Sequence, residues 1–172
     1  ATKSIFLVTN GQEPDMIQRL EDENALPTQL YLSTNAADYQ SFLKINRPRY
    51  DDSWERWNRT LKMLSTLGTR TVLRLTLIRG YNDNEEMIPA FASLLQQSNV
   101  HFVEIKSYMH IGRSTNRLEY SDMLEMDEVR SFANKLVQEN NAFTVMDESE
   151  ISRIVILQNK KRFVDRFIPA YC

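Results

Sequence analysis

Short apolar runs alternate along this chain with segments whose apolar residues recur every three or four positions. Ile5-Phe6-Leu7-Val8, Gln29-Leu30-Tyr31-Leu32, Thr71-Val72-Leu73-Arg74-Leu75-Thr76-Leu77-Ile78 and Phe102-Val103-Glu104-Ile105 read as strands. Each is followed by a helical pattern or a loop. Met16, Ile17 and Leu20 give one apolar face behind Pro14, which suits a first helical turn. Asp38 to Ile45 reads as a short helix stopped by Pro48. From Asp52 to Leu67, Trp54, Trp57, Leu61, Leu64 and Leu67 predict the clearest helix, with Asp52 and Glu55 as a capping box and Gly68 as the residue just past its end. Ile88, Phe91, Ala92, Leu94 and Leu95 mark the next, with Pro89 in its first turn. Residues 109–125 have no period, and a loop that long is usually functional or disordered. Val129 to Val137 marks a last helix, and residues 143–146 and 151–157 flank a polar turn as a hairpin.

Strand, helix, strand in succession implies parallel pairing. Four such strands cannot close a barrel, so the expected fold is α/β: a partial (β/α) barrel or open parallel sheet with a C-terminal β-hairpin. The expected organisation is a single domain over residues 1–172, with βα repeats to about residue 108 and an extension over about 109–172. In such sheets ligands bind at the carboxyl ends of the strands. Here those ends carry Thr9-Asn10-Gly11, Ser33-Thr34-Asn35, Arg74-Leu75-Thr76 and Glu104-Ile105-Lys106.

The 172 residues suffice for one core, and a net charge of −2 gives no global basic field for nucleic acid. No apolar run approaches the ~20 residues that span a bilayer, so no membrane partner is expected. The single cysteine, Cys172, leaves no thiol cluster and fits a reducing, cytoplasmic setting. His101 and His110 lack metal-ligand spacing, so no metal site is read here.

The polar residues allow more than one role. Thr9 and Asn10 offer a hydroxyl and a carboxamide to a ligand, or simply form a turn with Gly11. Ser33, Thr34 and Asn35 could cap the following helix instead. Arg74 interrupts an apolar strand; it either enters a polar cavity or extends to solvent. Glu104 and Lys106 share one strand face, which is either an active-site wall or a solvated surface. If that face is a site, Val103 and Ile105 pack against the helices, and a shielded Lys106 can attack a carbonyl to form a Schiff base. Arg47, Arg49, Arg113 and Arg117 lie in loops, where they either contact phosphates or remain solvated.

Six stretches in order carry a resemblance: Phe6-Leu7-Val8-Thr9-Asn10-Gly11, Pro27-Thr28-Gln29-Leu30-Tyr31-Leu32-Ser33, Ile45-Asn46-Arg47-Pro48, Arg70-Thr71-Val72-Leu73-Arg74-Leu75-Thr76-Leu77, Phe102-Val103-Glu104-Ile105-Lys106-Ser107-Tyr108 and Gly112-Arg113-Ser114-Thr115-Asn116-Arg117-Leu118. Together they resemble the wybutosine-synthesising radical SAM enzymes, the tRNA 4-demethylwyosine synthases. The resemblance implies a fragment of a radical SAM core. It implies a lyase of tRNA processing that uses S-adenosylmethionine and a 4Fe-4S cluster to condense N1-methylguanosine-37 of tRNA-Phe with pyruvate, with a possible flavodoxin-type reductant. The family's CxxxCxxC loop and its Gly-Glu-Pro segment are not in this sequence, which starts at what looks like the family's third strand. The chain is therefore expected to lack cluster ligands, to need the missing N-terminal half of the barrel, and to be inactive alone. A non-catalytic scaffold or RNA-binding fragment is the alternative.

By position, the resemblance places Thr9, Asn10, Ser33 and Asn35 where the family faces S-adenosylmethionine, although some relatives carry an acidic residue at Asn35. It places Arg74 near the cofactor's carboxylate and Lys106, the candidate catalytic residue, at the substrate end, where a lysine could meet pyruvate; the family's N-terminal part supplies another candidate lysine, and an ionised Glu104 beside Lys106 would make it an electrostatic anchor instead. Glu104, Tyr108, Arg113 and Arg117 are the candidate substrate-binding residues, with the loop 109–118 near the tRNA.

Overall fold

Four strands lie side by side and parallel in a computed structural model that describes residues 4–168; Cys172 lies outside them. They are β1 (Phe6–Thr9), β2 (Gln29–Thr34), β3 (Arg70–Leu77) and β4 (Phe102–Ser107). The hairpin strands β5 (Phe143–Ser149) and β6 (Ile154–Asn159) extend the same sheet, with β6 antiparallel against β4, so the order is β1-β2-β3-β4-β6-β5. The sheet is open, and β1 is an edge strand on which Phe6 and Val8 are exposed, as is Ile5 just before it.

Alternation along the strands gives the sheet two unlike faces. Leu30, Leu32, Leu73, Leu75, Val103, Ile105, Val155 and Leu157 are buried in one core with the apolar residues of the helices. These helices are α1 (Pro14–Asp22), α2 (Tyr39–Asn46), α3 (Ser53–Met63), α4 (Ile88–Ser98) and α5 (Met126–Glu139). The register aligns Tyr31, Val72, Phe102 and Gln158 in one row of the other face, then Ser33, Arg74, Glu104 and Ile156, then Thr76, Lys106 and Ile154. Near the amino ends of the strands, the segment after β6 crosses this second face. There the Arg70 guanidinium donates to the carbonyls of Asp165 (2.6 Å) and Arg166 (3.0 Å), and Gln158 donates to that of Val164 (2.8 Å).

Three local expectations are corrected. The third helix ends at Met63, not Leu67, and Gly68 is not in a left-handed conformation, so it does not close the helix. Residues after Met63 turn instead, with Ser65 and Thr66 hydroxyls bonding the carbonyls of Lys62 and Met63. Such side-chain bonds offer the backbone an alternative to continuing the helix. Asp52 makes no cap bond; its carboxylate accepts from Arg56 Nε at 2.8 Å, one turn on. Pro89 does lie in the first turn of α4. The aperiodic segment holds two short 3₁₀ helices, Gly112–Asn116 and Tyr120–Asp122.

Candidate functional site at the carboxyl ends of the parallel strands

Helix α3 is bolted to the ends of β1 and β2. Trp57 Nε1 donates to the Ser33 carbonyl (3.1 Å) and Thr60 Oγ1 to the Gly11 carbonyl (2.8 Å). Gly11 needs its lack of a side chain: its φ is +76°, and a Cβ there would sit 2.7 Å from Leu32 Cδ1. Asp38 caps α2 by accepting from the Ser41 backbone N–H at 2.9 Å. Partial burial opposes its charge, but hydrogen bonds from Ser41 and Gln40 prevail and hold the carboxyl below its ordinary range.

Asn82, fully buried in the loop after β3, joins two strand ends. Its Nδ2 donates to the carbonyls of Asn35 and Thr76, both at 2.8 Å, and its Oδ1 accepts from the Ile78 N–H at 2.6 Å. Arg79 clamps the irregular segment to the end of β3: it donates to the carbonyls of Ser121 (3.0 Å) and Met123 (2.9 Å) and forks onto Glu128. That hydrogen-bonded pairing outweighs partial burial and holds the Glu128 carboxyl below its ordinary range.

Above these ends open two cavities. The larger, about 610 Å³, is lined by Asn10, Gln12, Ser33, Asn35, Arg47, Arg49, Tyr50 and Arg117, among others. The smaller, about 190 Å³, shares Asn35, Ile45, Arg47 and Arg117 with it and adds Lys44, Thr76, Tyr81, Tyr108 and Ser114. Gln12 Oε1 is buried without a hydrogen-bond partner in the larger cleft's wall, while its Nε2 donates to the Ser53 carbonyl at 3.1 Å. Tyr50 is half exposed, with the Arg56 guanidinium 4.7 Å from its ring centre. In the smaller cavity the Tyr108 hydroxyl donates to Ser114 Oγ (3.1 Å) and lies 3.2 Å from His110 Nδ1.

The structure thus brings Asn10, Ser33, Asn35, Tyr108 and Arg117 to the two cavities. Thr9 does not join them: its Oγ1 accepts from the Gly11 N–H at 3.0 Å, closing the turn, and it alternates with Val8 onto the face of Leu7. Arg113 is exposed on its 3₁₀ turn and lines neither cavity.

Arg74, Glu104 and Lys106 lie on the helix-free face, the Arg74–Glu104 pair below the strand ends and Lys106 at the carboxyl end of β4. Arg74 neither enters a cavity nor reaches out to solvent unpaired. Its Nε is 2.7 Å from Glu104 Oε1 and its guanidinium lies 4.5 Å from the centre of the Tyr31 ring. A charge that interrupts an apolar strand is thereby neutralised by the residue beside it in register. Glu104 is spent on Arg74, not on Lys106, which is partly exposed and has no carboxylate partner among the described residues. Sequence reasoning missed Asn82, Lys44 and Tyr81, whereas Thr76 lay in the strand-end group Arg74-Leu75-Thr76.

Comparison with known proteins fits this geometry. Residues 97–159, from the end of α4 through β6, match the family model for wyosine base formation. The chain is 42% identical over 160 residues to the S-adenosyl-L-methionine-dependent tRNA 4-demethylwyosine synthase of Methanocaldococcus jannaschii, covering 93% of this chain and 48% of that protein. It is also similar to a solved structure of TYW1 with a lysine-pyruvate adduct bound, at a TM-score of 0.78 and 40% identity, over 91% of this chain and 47% of that one. At 12% identity and a TM-score of 0.52, covering 91% of this chain and 35% of the other, Escherichia coli coproporphyrinogen III oxidase, a radical SAM enzyme, shares the fold. The chain therefore carries a fragment of a radical SAM fold and spans about half the length of the demethylwyosine synthases it matches.

Proposed function

From this kinship, we propose that the chain forms one wall of the active site of a radical SAM enzyme that condenses N1-methylguanosine-37 of tRNA-Phe with pyruvate to give 4-demethylwyosine, a lyase of wybutosine synthesis. The observation that carries the reading is the coincidence of sequence kinship over 93% of the chain with polar strand ends that converge on one cleft. When bound, S-adenosylmethionine supplies the hydrogen-abstracting radical. The donor set suits such a ligand: the Ser33 hydroxyl and the Asn10 and Asn35 carboxamides can bond ribose hydroxyls and an amino-acid end group. The Arg74 guanidinium, paired with Glu104, is available to a ligand carboxylate only as a shared partner.

The iron–sulfur cluster does not fit the residues present. Its ligands are thiolates, and the sequence holds one cysteine. In this reading the cluster loop, the strands that pair with the free edge of β1, and the reductant's docking site belong to the rest of the longer protein.

Within the same reading Lys106 is the candidate amine for pyruvate. It stands at the carboxyl end of β4, one residue pair above the Arg74–Glu104 pair and beside Thr76 in register. Its amine would add to the keto carbonyl with loss of one water, giving an imine. The TYW1 relative carries a lysine–pyruvate adduct, which makes lysine chemistry the question to ask.

The test is the natural gene product containing these residues. It is reconstituted anaerobically with iron and sulfide, then given S-adenosylmethionine, a reductant, labelled pyruvate and tRNA-Phe bearing N1-methylguanosine-37. Nucleoside mass spectrometry should show 4-demethylwyosine, and its absence with a loaded cluster overturns the reading. Borohydride trapping in the same mixture should place label on the Lys106 peptide. Label only on a lysine outside this chain removes Lys106 from the imine step.

A further inference from the structure

We propose that the smaller cavity is a phosphate pocket that holds one phosphodiester of the RNA chain; this rests on the tRNA reading above. Three cationic side chains, Lys44, Arg47 and Arg117, line about 190 Å³, and no aspartate or glutamate lines it. Eight arginines elsewhere, Arg19, Arg56, Arg59, Arg74, Arg79, Arg130, Arg153 and Arg166, pair with carboxylates, and Arg70 and Arg162 are held by backbone carbonyls. The cations of this pocket have no carboxylate among the described residues. Lys44 lies over the Tyr81 ring at 4.8 Å, and Arg117 reaches only the Ile45 carbonyl, at 3.4 Å. The Thr76 hydroxyl also lines the pocket, beside those of Tyr108 and Ser114, which donate to Ser114 Oγ (3.1 Å) and to the Ile111 carbonyl (2.7 Å). Such a set of cations matches a tetrahedral anion with several acceptor oxygens, and about 190 Å³ has room for one.

The backbone of Arg47 gives a second, independent observation. It closes α2 in the left-handed region at φ 47°, where glycine or asparagine is the ordinary choice. One other arginine, Arg153, has such a conformation at φ 49°, and its side chain is occupied: it donates to the Leu124 carbonyl at 3.0 Å and pairs with Glu125 at 3.0 Å. Arg47 has no side-chain partner among the described residues and lines both cavities. A costly backbone geometry is kept at a residue whose guanidinium is left for something outside the chain.

The test is titration of this chain with inorganic phosphate, and separately with a single-stranded ribonucleotide pentamer, at constant ionic strength, read by amide chemical shifts. Phosphate should bind saturably, with shifts centred on Lys44, Arg47, Ser114 and Arg117. Arg117→Gln and Lys44→Gln should each weaken phosphate and pentamer by at least about tenfold, as loss of a charge-assisted hydrogen bond implies. Lys62→Gln, on the exposed side of α3, should change either by less than about twofold, as expected of a screened remote charge. Each variant's melting temperature confirms that the fold is kept. Non-saturating shifts, or equal losses in Lys62→Gln, overturn the pocket. Phosphate loss with unchanged pentamer binding overturns its assignment to RNA. Failure of the function reading is separate: the reconstituted gene product would then make no 4-demethylwyosine while this chain still bound phosphate saturably.

Discussion

Replacing Asn82 by alanine should loosen the strand ends that carry the site, and the size of the effect follows from its three hydrogen bonds. The side chain is fully buried and serves the Ile78 N–H and the carbonyls of Asn35 and Thr76. Asn82→Ala leaves one donor and two acceptors without it. A buried group left unpaired costs about 1–3 kcal/mol, and carbonyls with a second lone pair fall at the lower end, so the total is about 3–5 kcal/mol. A domain near the middle of the usual range of about 5–15 kcal/mol stays folded in buffer at that cost. With a urea slope of about 2 kcal/mol per molar, the unfolding midpoint falls by about 2 M. Asn82→Asp separates the two roles. It keeps the acceptor for Ile78 but turns a carboxylate toward two carbonyls, so it should be the less stable variant at pH 7 and recover as the acid is protonated. In Asn82→Ala, hydrogen exchange should quicken first at the ends of β2 and β3. A midpoint within about 0.3 M of wild type, less than one lost hydrogen bond predicts, would refute the claim that this residue ties the strand ends together.

Gly11→Ala should cost about 2–4 kcal/mol, from a left-handed backbone penalty plus overpacking against Leu32, whereas Gly68→Ala, with no atom within 4 Å and an ordinary backbone, should be neutral or slightly stabilising in the same urea titration. His101 accepts the Thr71 N–H at its Nδ1, and burial, with Arg162 and Arg70 nearby, pushes its pKa down from 6.5 to about 4. The unfolded chain therefore takes up the proton first: this contribution is whole above about pH 6.5 and fades toward pH 4, by up to about 3 kcal/mol. In His101→Asn, whose Oδ1 can keep the Thr71 bond, the stability difference between pH 7 and pH 4 should shrink accordingly; an unchanged difference rejects the assignment. The free edge of β1, with Ile5, Phe6 and Val8 exposed, should make this chain self-associate as its concentration rises; a strictly monomeric sedimentation profile, with fast amide exchange at residues 5–8, counts against that.

The elements legible in the sequence are those whose residues answer to one partner layer. β3 and β4 read as strands because Leu73, Leu75, Val103 and Ile105 all face the helices. The same alternation put Glu104 and Lys106 on the opposite face, where the register places them. What stayed hidden depends on groups far apart in the chain. The even choice for Arg74 was settled by Glu104, thirty residues on, and two adjacent strands in register are needed to see that the carboxylate is spent there and not on Lys106. Asn82 gave no signal in the sequence because its partner Asn35 lies 47 residues away. The end of α3 was misplaced because Leu64 and Leu67 keep the helical spacing and are buried, although the backbone has already turned. Apolar period reports which side chains reach the core, not which conformation delivers them. The candidate site follows the same logic at larger scale. Its polar residues were individually ambiguous because each also suits a turn or a cap. They become a cleft because Trp57, Thr60, Asn82 and Arg79 fasten four separate loops to neighbouring strand ends. None of these four fasteners touches a ligand in the proposed chemistry. Yet altering one shifts two loops together, so the spacing between Asn10, Ser33, Asn35 and Arg117 is a property of the fasteners more than of the residues that line the cleft.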